Sequence, residues 1–285
     1  MLPTYLPYAD INLIRAYEWQ AIERAFNSVS RDWEISFDFP QGGCQQRAQI
    51  MSMILEKKFN ITHCKIWLFA PAALALDDSR MLFSKDSRTL SPGNIMEWSY
   101  HVAPAVRVLQ GNRIDTFILD PAINSKMPLP VKQWFEAIGN SGTGKYCYML
   151  PDKYFFNSSY HEAGNNGLAM LFDGSFYNYE NPAKDNLAVE KGLAINDMVM
   201  KIFDAYIAPL IKNHKPEDNV ILQDLKSIFG NATALDMLFS QNISGYTENT
   251  THRYVITNYT DIINEAKRIF NERLVYWTTV INELL

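Results

Sequence analysis

Cys44 follows the pair Gly42-Gly43 in the segment PQGGCQQRAQIMSMILEKKF. Behind it, Ala48, Met51, Leu55 and Phe59 recur at helical spacing, which predicts a helix over 44–59 with Cys44 in its first turn. Two glycines let the backbone turn sharply and approach a ligand closely. The first turn of a helix offers unpaired N–H groups and about half a unit of positive charge. Both favour a thiolate, which is the nucleophilic form of cysteine. The same N–H groups can hold an oxyanion on an acyl carbon that the sulfur attacks. Cys64 and Cys147 lack the glycine entry and the helix start, and both read as structural. A free cysteine is ordinarily a small buried hydrophobe, so Cys44 alone settles little. Gln41 lies three residues ahead of Cys44, where a solvated loop glutamine is the plain reading.

A base and its orienting group are found in EWSYHVAPAVRVLQGNRIDTFILDP. Two extended apolar runs flank Gln110-Gly111-Asn112-Arg113, a hairpin signal. A two-residue loop at Gly111-Asn112 puts Gln110 opposite Arg113, Ala103 opposite Asp120 and His101 opposite Ala122. Facing residues share one side of a sheet, as do residues two apart on a strand, so His101 and Asp120 fall on one face. A three-residue loop would send them to opposite faces. A carboxylate bonded to an imidazole fixes its tautomer and stabilises the imidazolium. Such an imidazole can deprotonate a thiol and later protonate a leaving amine. The plainer alternative is a satisfied core histidine and a turn aspartate before Pro121. Trp98 and Tyr100 flank the histidine, where strand aromatics ordinarily belong to the core.

These residues need elements to hold them. Ile14, Tyr17, Ala21, Ala25 and Val29 predict a helix near the start of the chain. Ile35, Phe37 and Phe39 alternate in a short extended run over 31–43. Residues 60–145 read as strands and turns, and 146–180 as strands and loops rich in Tyr, Phe, Asn and Gly. Beyond that, helical pattern covers 185–213, 219–240 and 259–284. The expected architecture is α+β, with a catalytic part over 1–180 and a helical subdomain over 181–285. The 285 residues are 47% hydrophobic, enough for a sizeable core, which excludes a disordered chain. The net charge of −5 and the lack of a basic cluster argue against nucleic acid as a partner. No apolar run reaches membrane-spanning length, so no membrane partner is expected. Three cysteines and five scattered histidines make neither a disulfide framework nor a metal ligand set. The first residues lack a signal-peptide pattern, so the expected location is cytoplasmic, unless the chain is a mature or non-classically secreted protein.

A cysteine at a helix start, then histidine and aspartate on successive strands, resembles the transglutaminase-like branch of the papain-like fold. The local motifs are similar to those of the bacterial protein glutaminases, which deamidate glutamine side chains in proteins. They are Gly43-Cys44 with Arg47-Ala48, then Trp98-Ser99-Tyr100-His101-Val102-Ala103-Pro104, and then Asp120-Pro121. The resemblance covers roughly residues 30–135 and leaves out the helical C-terminal third. It implies a Cys44-His101-Asp120 triad that needs no metal or organic cofactor, and a protein or peptide substrate bearing glutamine. Gly43 and Gln41 would serve the oxyanion, and Trp98 and Tyr100 the substrate slot. The same triad also suits a transglutaminase or amide-forming acyltransferase, or a cysteine protease. A binding module on the same fold is the non-enzymatic alternative.

Overall fold

A computed structural model describes residues 9–38, 42–86, 88–162, 168–178, 188–213, 215–239 and 250–285. Gln41 lies outside the described residues. The fold is α+β: an antiparallel sheet carrying helices, and a helical C-terminal part.

The sheet is built around strand β5 (Tyr100–Gln110), with β2 (Cys64–Phe69) on one side and β6 (Arg113–Ile118) on the other. The edges are β7 (Leu129–Pro130) beyond β6 and β8 (Lys145–Met149) beyond β2. The β5–β6 hairpin has the expected register, with Gln110 opposite Arg113 and Ala105 opposite Ile118. Gly111 takes the left-handed φ of 60° that the tight loop requires. The ladder ends there, and Leu119 N–H donates to the Pro104 carbonyl, so the next pairs are not formed as strand pairs.

The first helix starts later than its apolar spacing predicts. Ala16–Glu18 form β1, which runs parallel to β5 and pairs Tyr17 with Val108. The Tyr17 hydroxyl accepts from the Thr62 N–H at 2.7 Å. A long-range pairing thus takes Tyr17 out of the helical pattern, and α1 runs over Trp19–Arg31. The alternating run after it forms no ladder: Glu34 sits at φ 53°, and Ile35 and Phe37 pack on the core from irregular chain. Helix α2 spans Cys44–Phe59 as expected. A short helix, α3 (Val131–Glu136), lies among what reads in sequence as strands and turns. Strands β3 (Leu82–Lys85) and β4 (Ile95–Trp98) pair with each other, as do β9 (Lys153–Glu162) and β10 (Leu168–Asn178).

The C-terminal part holds α4 (Val189–Ile202), a π-helical turn (Phe203–Ile207), α5 (Ala208–Asn213), α6 (Asp218–Phe229), α7 (Ala232–Phe239), α8 (Thr250–Asn258) and α9 (Thr260–Leu284). It shares one apolar core with the rest. Val106, Val108 and Phe117 of the sheet, Phe26 of α1, Ile50 and Ile54 of α2, Val199 of α4 and Trp277 of α9 all lie in it. A second cluster, with Ile66, Leu68, Ala103, Ala105, Ile118 and Trp134, fills the opposite sheet face. Among the described residues, no helix is long and apolar enough to cross a membrane.

Candidate active site

Gly43 caps α2 at φ +78°, a conformation that side chains rarely adopt. Its carbonyl accepts the first helical bond, from the Arg47 N–H at 2.9 Å. Cys44 therefore occupies the first helical position, where backbone N–H groups lack partners within the helix. It is buried with Ala48, Trp67, Phe69, Val102 and Phe156 around it.

His101 is the second residue of β5 and is 2% exposed. Its Nε2 is 2.8 Å from Asp120 Oδ2. Asp120 follows β6 at a turn, where its carbonyl accepts from Asn124 N–H at 2.9 Å. The hairpin register and this turn put the carboxylate beside the ring, on one side of the sheet. The same Oδ2 accepts a second bond from Trp134 Nε1, also at 2.8 Å. The imidazole stacks on Trp98 at 5.0 Å and on Trp134 at 5.8 Å, close to parallel with both. Aromatic faces and a carboxylate thus define the plane and the tautomer of the ring. Its other nitrogen, Nδ1, is buried without a hydrogen-bond partner among the described residues; Cys44 acts on the charge of the ring, and its thiol donates to Gln45 Oε1 at 3.5 Å.

The electrostatics suit an imidazolium. Burial alone would discharge His101, but the charge and hydrogen bond of Asp120, aided by Cys44, raise its pKa to about 9. Burial likewise pushes Asp120 up, but His101, the Trp134 bond and the Arg47 charge together hold it below the ordinary carboxylate value. Burial lowers the Arg47 pKa, against the attraction of Cys44, Asp120 and Asp38. The other two thiols sit differently: burial pushes Cys64 up to about 11 and Cys147 up to about 12, which suppresses their thiolates.

The flanking aromatics divide between two tasks. Trp98 backs the histidine ring. Tyr100 lies in an aromatic cluster with Trp67, Phe69, Phe155 and Phe156. Trp134 carries no local sequence signal, since its role depends on where α3 lands. Among the described residues, no group of three His, Cys, Asp or Glu side chains is placed to hold a metal.

Part of the chain is similar to known proteins. Residues 21–138 match a family model described as Glutaminase. No curated protein matches. Among solved structures, the NMR structure of protein-glutaminase from Chryseobacterium proteolyticum is 18% identical, with 67% of this chain and 89% of that chain covered and a TM-score of 0.43. A crystal structure of pro-protein-glutaminase is also 18% identical, with 68% and 62% covered and a TM-score of 0.43. A crystal structure of protein-glutaminase is 21% identical, with 63% and 83% covered and a TM-score of 0.36. The matched segment 21–138 holds Cys44, His101 and Asp120 and overlaps the stretch whose motifs resemble the protein glutaminases.

Proposed function

We propose that the protein deamidates glutamine side chains of proteins or peptides, with Cys44 as nucleophile, His101 as proton carrier and Asp120 as the group that orients and charges His101. The observation that carries this reading is the buried His101–Asp120 pair, whose second imidazole nitrogen has no hydrogen-bond partner among the described residues. Cys44 Sγ attacks the side-chain amide carbon, and the oxygen takes up the negative charge. The Cys44 N–H is a donor for that oxyanion. The C–N bond then breaks, the imidazolium gives its proton to the departing nitrogen, and ammonia leaves a thioester. His101 next takes a proton from water, which attacks the thioester carbon. The sulfur leaves, and the side chain is released as glutamate.

Mass spectrometry of a glutamine-containing peptide after incubation tests this. Deamidation appears as a gain of about one mass unit with release of ammonia. A cleaved peptide would make the protein a protease, and an adduct with an added amine would make it a transferase. An unchanged peptide together with an unreactive Cys44 would favour a binding module.

A further inference from the structure

We infer that Asn196, on α4 of the helical C-terminal part, is a positioning residue for the nucleophile: with Arg47 it clamps the Gly42-Gly43 turn and thereby fixes Cys44. This rests on the reading of Cys44 as the attacking thiol.

Arg47 and Asn196 both close on that turn. Arg47, one helical turn after Cys44 and 6% exposed, donates from Nη1 to the Gly42 carbonyl at 3.0 Å. Asn196 is buried, and its amide oriented to suit both neighbours accepts from the same Nη1 and donates to the Gly192 carbonyl, each at 3.3 Å. A methyl group at Gly43 would fall within 2.3 Å of the Asn196 amide. One at Gly192 would fall within 2.4 Å of Gln46. So α4 approaches the start of α2 closely at two points, and each point needs a glycine.

The clamp is itself held. Asp197, the next residue, accepts from Ser36 Oγ at 2.7 Å, Arg273 Nε at 2.6 Å and Trp277 Nε1 at 2.7 Å. Ser36 lies on the chain that leads into the glycine turn, so α4 fixes this segment as well as the turn. Removing the Asn196 amide takes one acceptor from Arg47 and opens space beside Gly43. Cys44 would then lose the backbone orientation that aims its sulfur and N–H. A misplacement of about 1 Å at such a site can cost on the order of 10²-fold in rate.

The test uses the full chain with Asn196→Ala and Asn196→Asp. Ammonia release gives kcat and KM, circular dichroism reports folding, and iodoacetamide labelling of Cys44 is followed by peptide mapping from pH 5 to 10. Asn196→Ala is expected to stay folded and lose kcat by about tenfold or more, with KM within about twofold. Its labelling should be slower than in the wild type across this range. Asn196→Asp keeps the size and the acceptor for Arg47, but draws the guanidinium charge away from Cys44. It should move the labelling midpoint up. Wild-type kcat and a wild-type labelling profile in both variants would overturn the clamp while leaving the triad standing. If Asn196→Ala does not fold, Asn196→Asp decides alone. Loss of fold in both would make Asn196 a packing residue only and overturn the clamp. Labelling of Cys64 or Cys147 ahead of Cys44 in the wild type would overturn the triad, and the clamp with it.

Discussion

Two buried aspartates in this chain are built from nearly the same parts. Asp120 accepts from His101 Nε2 at 2.8 Å and Trp134 Nε1 at 2.8 Å. Asp197 accepts from Arg273 Nε at 2.6 Å and Trp277 Nε1 at 2.7 Å. Each has a tryptophan N–H and a nitrogen base on one carboxylate oxygen. The difference is the base. A guanidinium keeps its proton at any ordinary pH, so the Asp197 centre can hold helices together but cannot move a proton. An imidazole gains and loses its proton near neutrality, so the Asp120 centre can. Connectivity sharpens the contrast. Arg273 also pairs with Glu34, which closes its coordination on the protein, whereas His101 Nδ1 has no hydrogen-bond partner among the described residues.

Changes at the first centre should strike rate, and changes at the second should strike stability. The largest effect is expected from Cys44→Ala, which removes the nucleophile and should abolish ammonia release while leaving the circular dichroism spectrum unchanged. Asp120→Asn should fold and lose about 10²–10³ in kcat. That is less than the ~10⁴ lost when the aspartate of a serine-protease triad is changed in the same way, because a thiol depends less on its base than a hydroxyl does. Full activity in folded Asp120→Asn would reduce Asp120 to a turn residue and dissolve the contrast.

At the second centre, Asp197→Ala leaves the Arg273 guanidinium with Glu34 alone and strands an indole N–H and the Ser36 hydroxyl. Losing one partner of a buried pair costs about 3–5 kcal/mol of stability. Chemical denaturation should show that loss unchanged between pH 6 and 9, since the Arg273 guanidinium keeps its charge there. The His101–Asp120 pair should behave otherwise. The folded pKa of His101 is about 9, above its ordinary 6.5, so its stabilising contribution is complete below pH 6.5 and fades as pH rises through 9. Asp120 is held below its ordinary value, so its contribution fades only in acid. The stability advantage of wild type over Asp120→Asn should therefore shrink between pH 6.5 and 9.5, by up to about 3 kcal/mol. An advantage that is flat over this range would mean that His101 does not carry the charge.

The first centre was readable from local sequence and the second was not. Gly-Gly-Cys before a helical repeat fixes where α2 starts, and Gly111-Asn112 fixes the register that puts His101 and Asp120 on one face. Both are short-range signals. Tyr17 shows where short-range signals mislead: its spacing fits a helix, yet its pairing partner Val108 lies far along the chain. Ile35 and Phe37 alternate like a strand but pack on the core without a ladder partner. Trp134 and Asn196 join the site from α3 and α4, and nothing near them in the chain announces it. Ser36 and Asp197 are 161 residues apart and meet only because α4 and α9 share the central core. The helical third reads as a separate subdomain in sequence because each helix is amphipathic on its own terms. Its partner face lies on α2 and the sheet.

The smallest expected effect tests the one part that the two centres share most closely. Trp134→Phe removes the indole N–H from Asp120 Oδ2 but leaves an aromatic face against His101. The missing donor concentrates the carboxylate charge on the His101 bond, so imidazolium should be held slightly more strongly and the basic limb of the pH–rate profile should move up. The carboxylate also loses an anchor, so the ring is aimed less well and kcat should fall by roughly three- to tenfold, less than the full worth of a ~1.5–3 kcal/mol charged hydrogen bond because Trp134 acts through two other groups. Trp277→Phe is the matched control at Asp197. It should lower denaturant stability by a similar amount and leave kcat and its pH profile within about twofold of wild type, since no proton moves there. Equal effects of the two variants on kcat would mean that the tryptophan at Asp120 is packing alone. A rate loss confined to Trp134→Phe would show that the same hydrogen bond serves catalysis at one aspartate and only stability at the other.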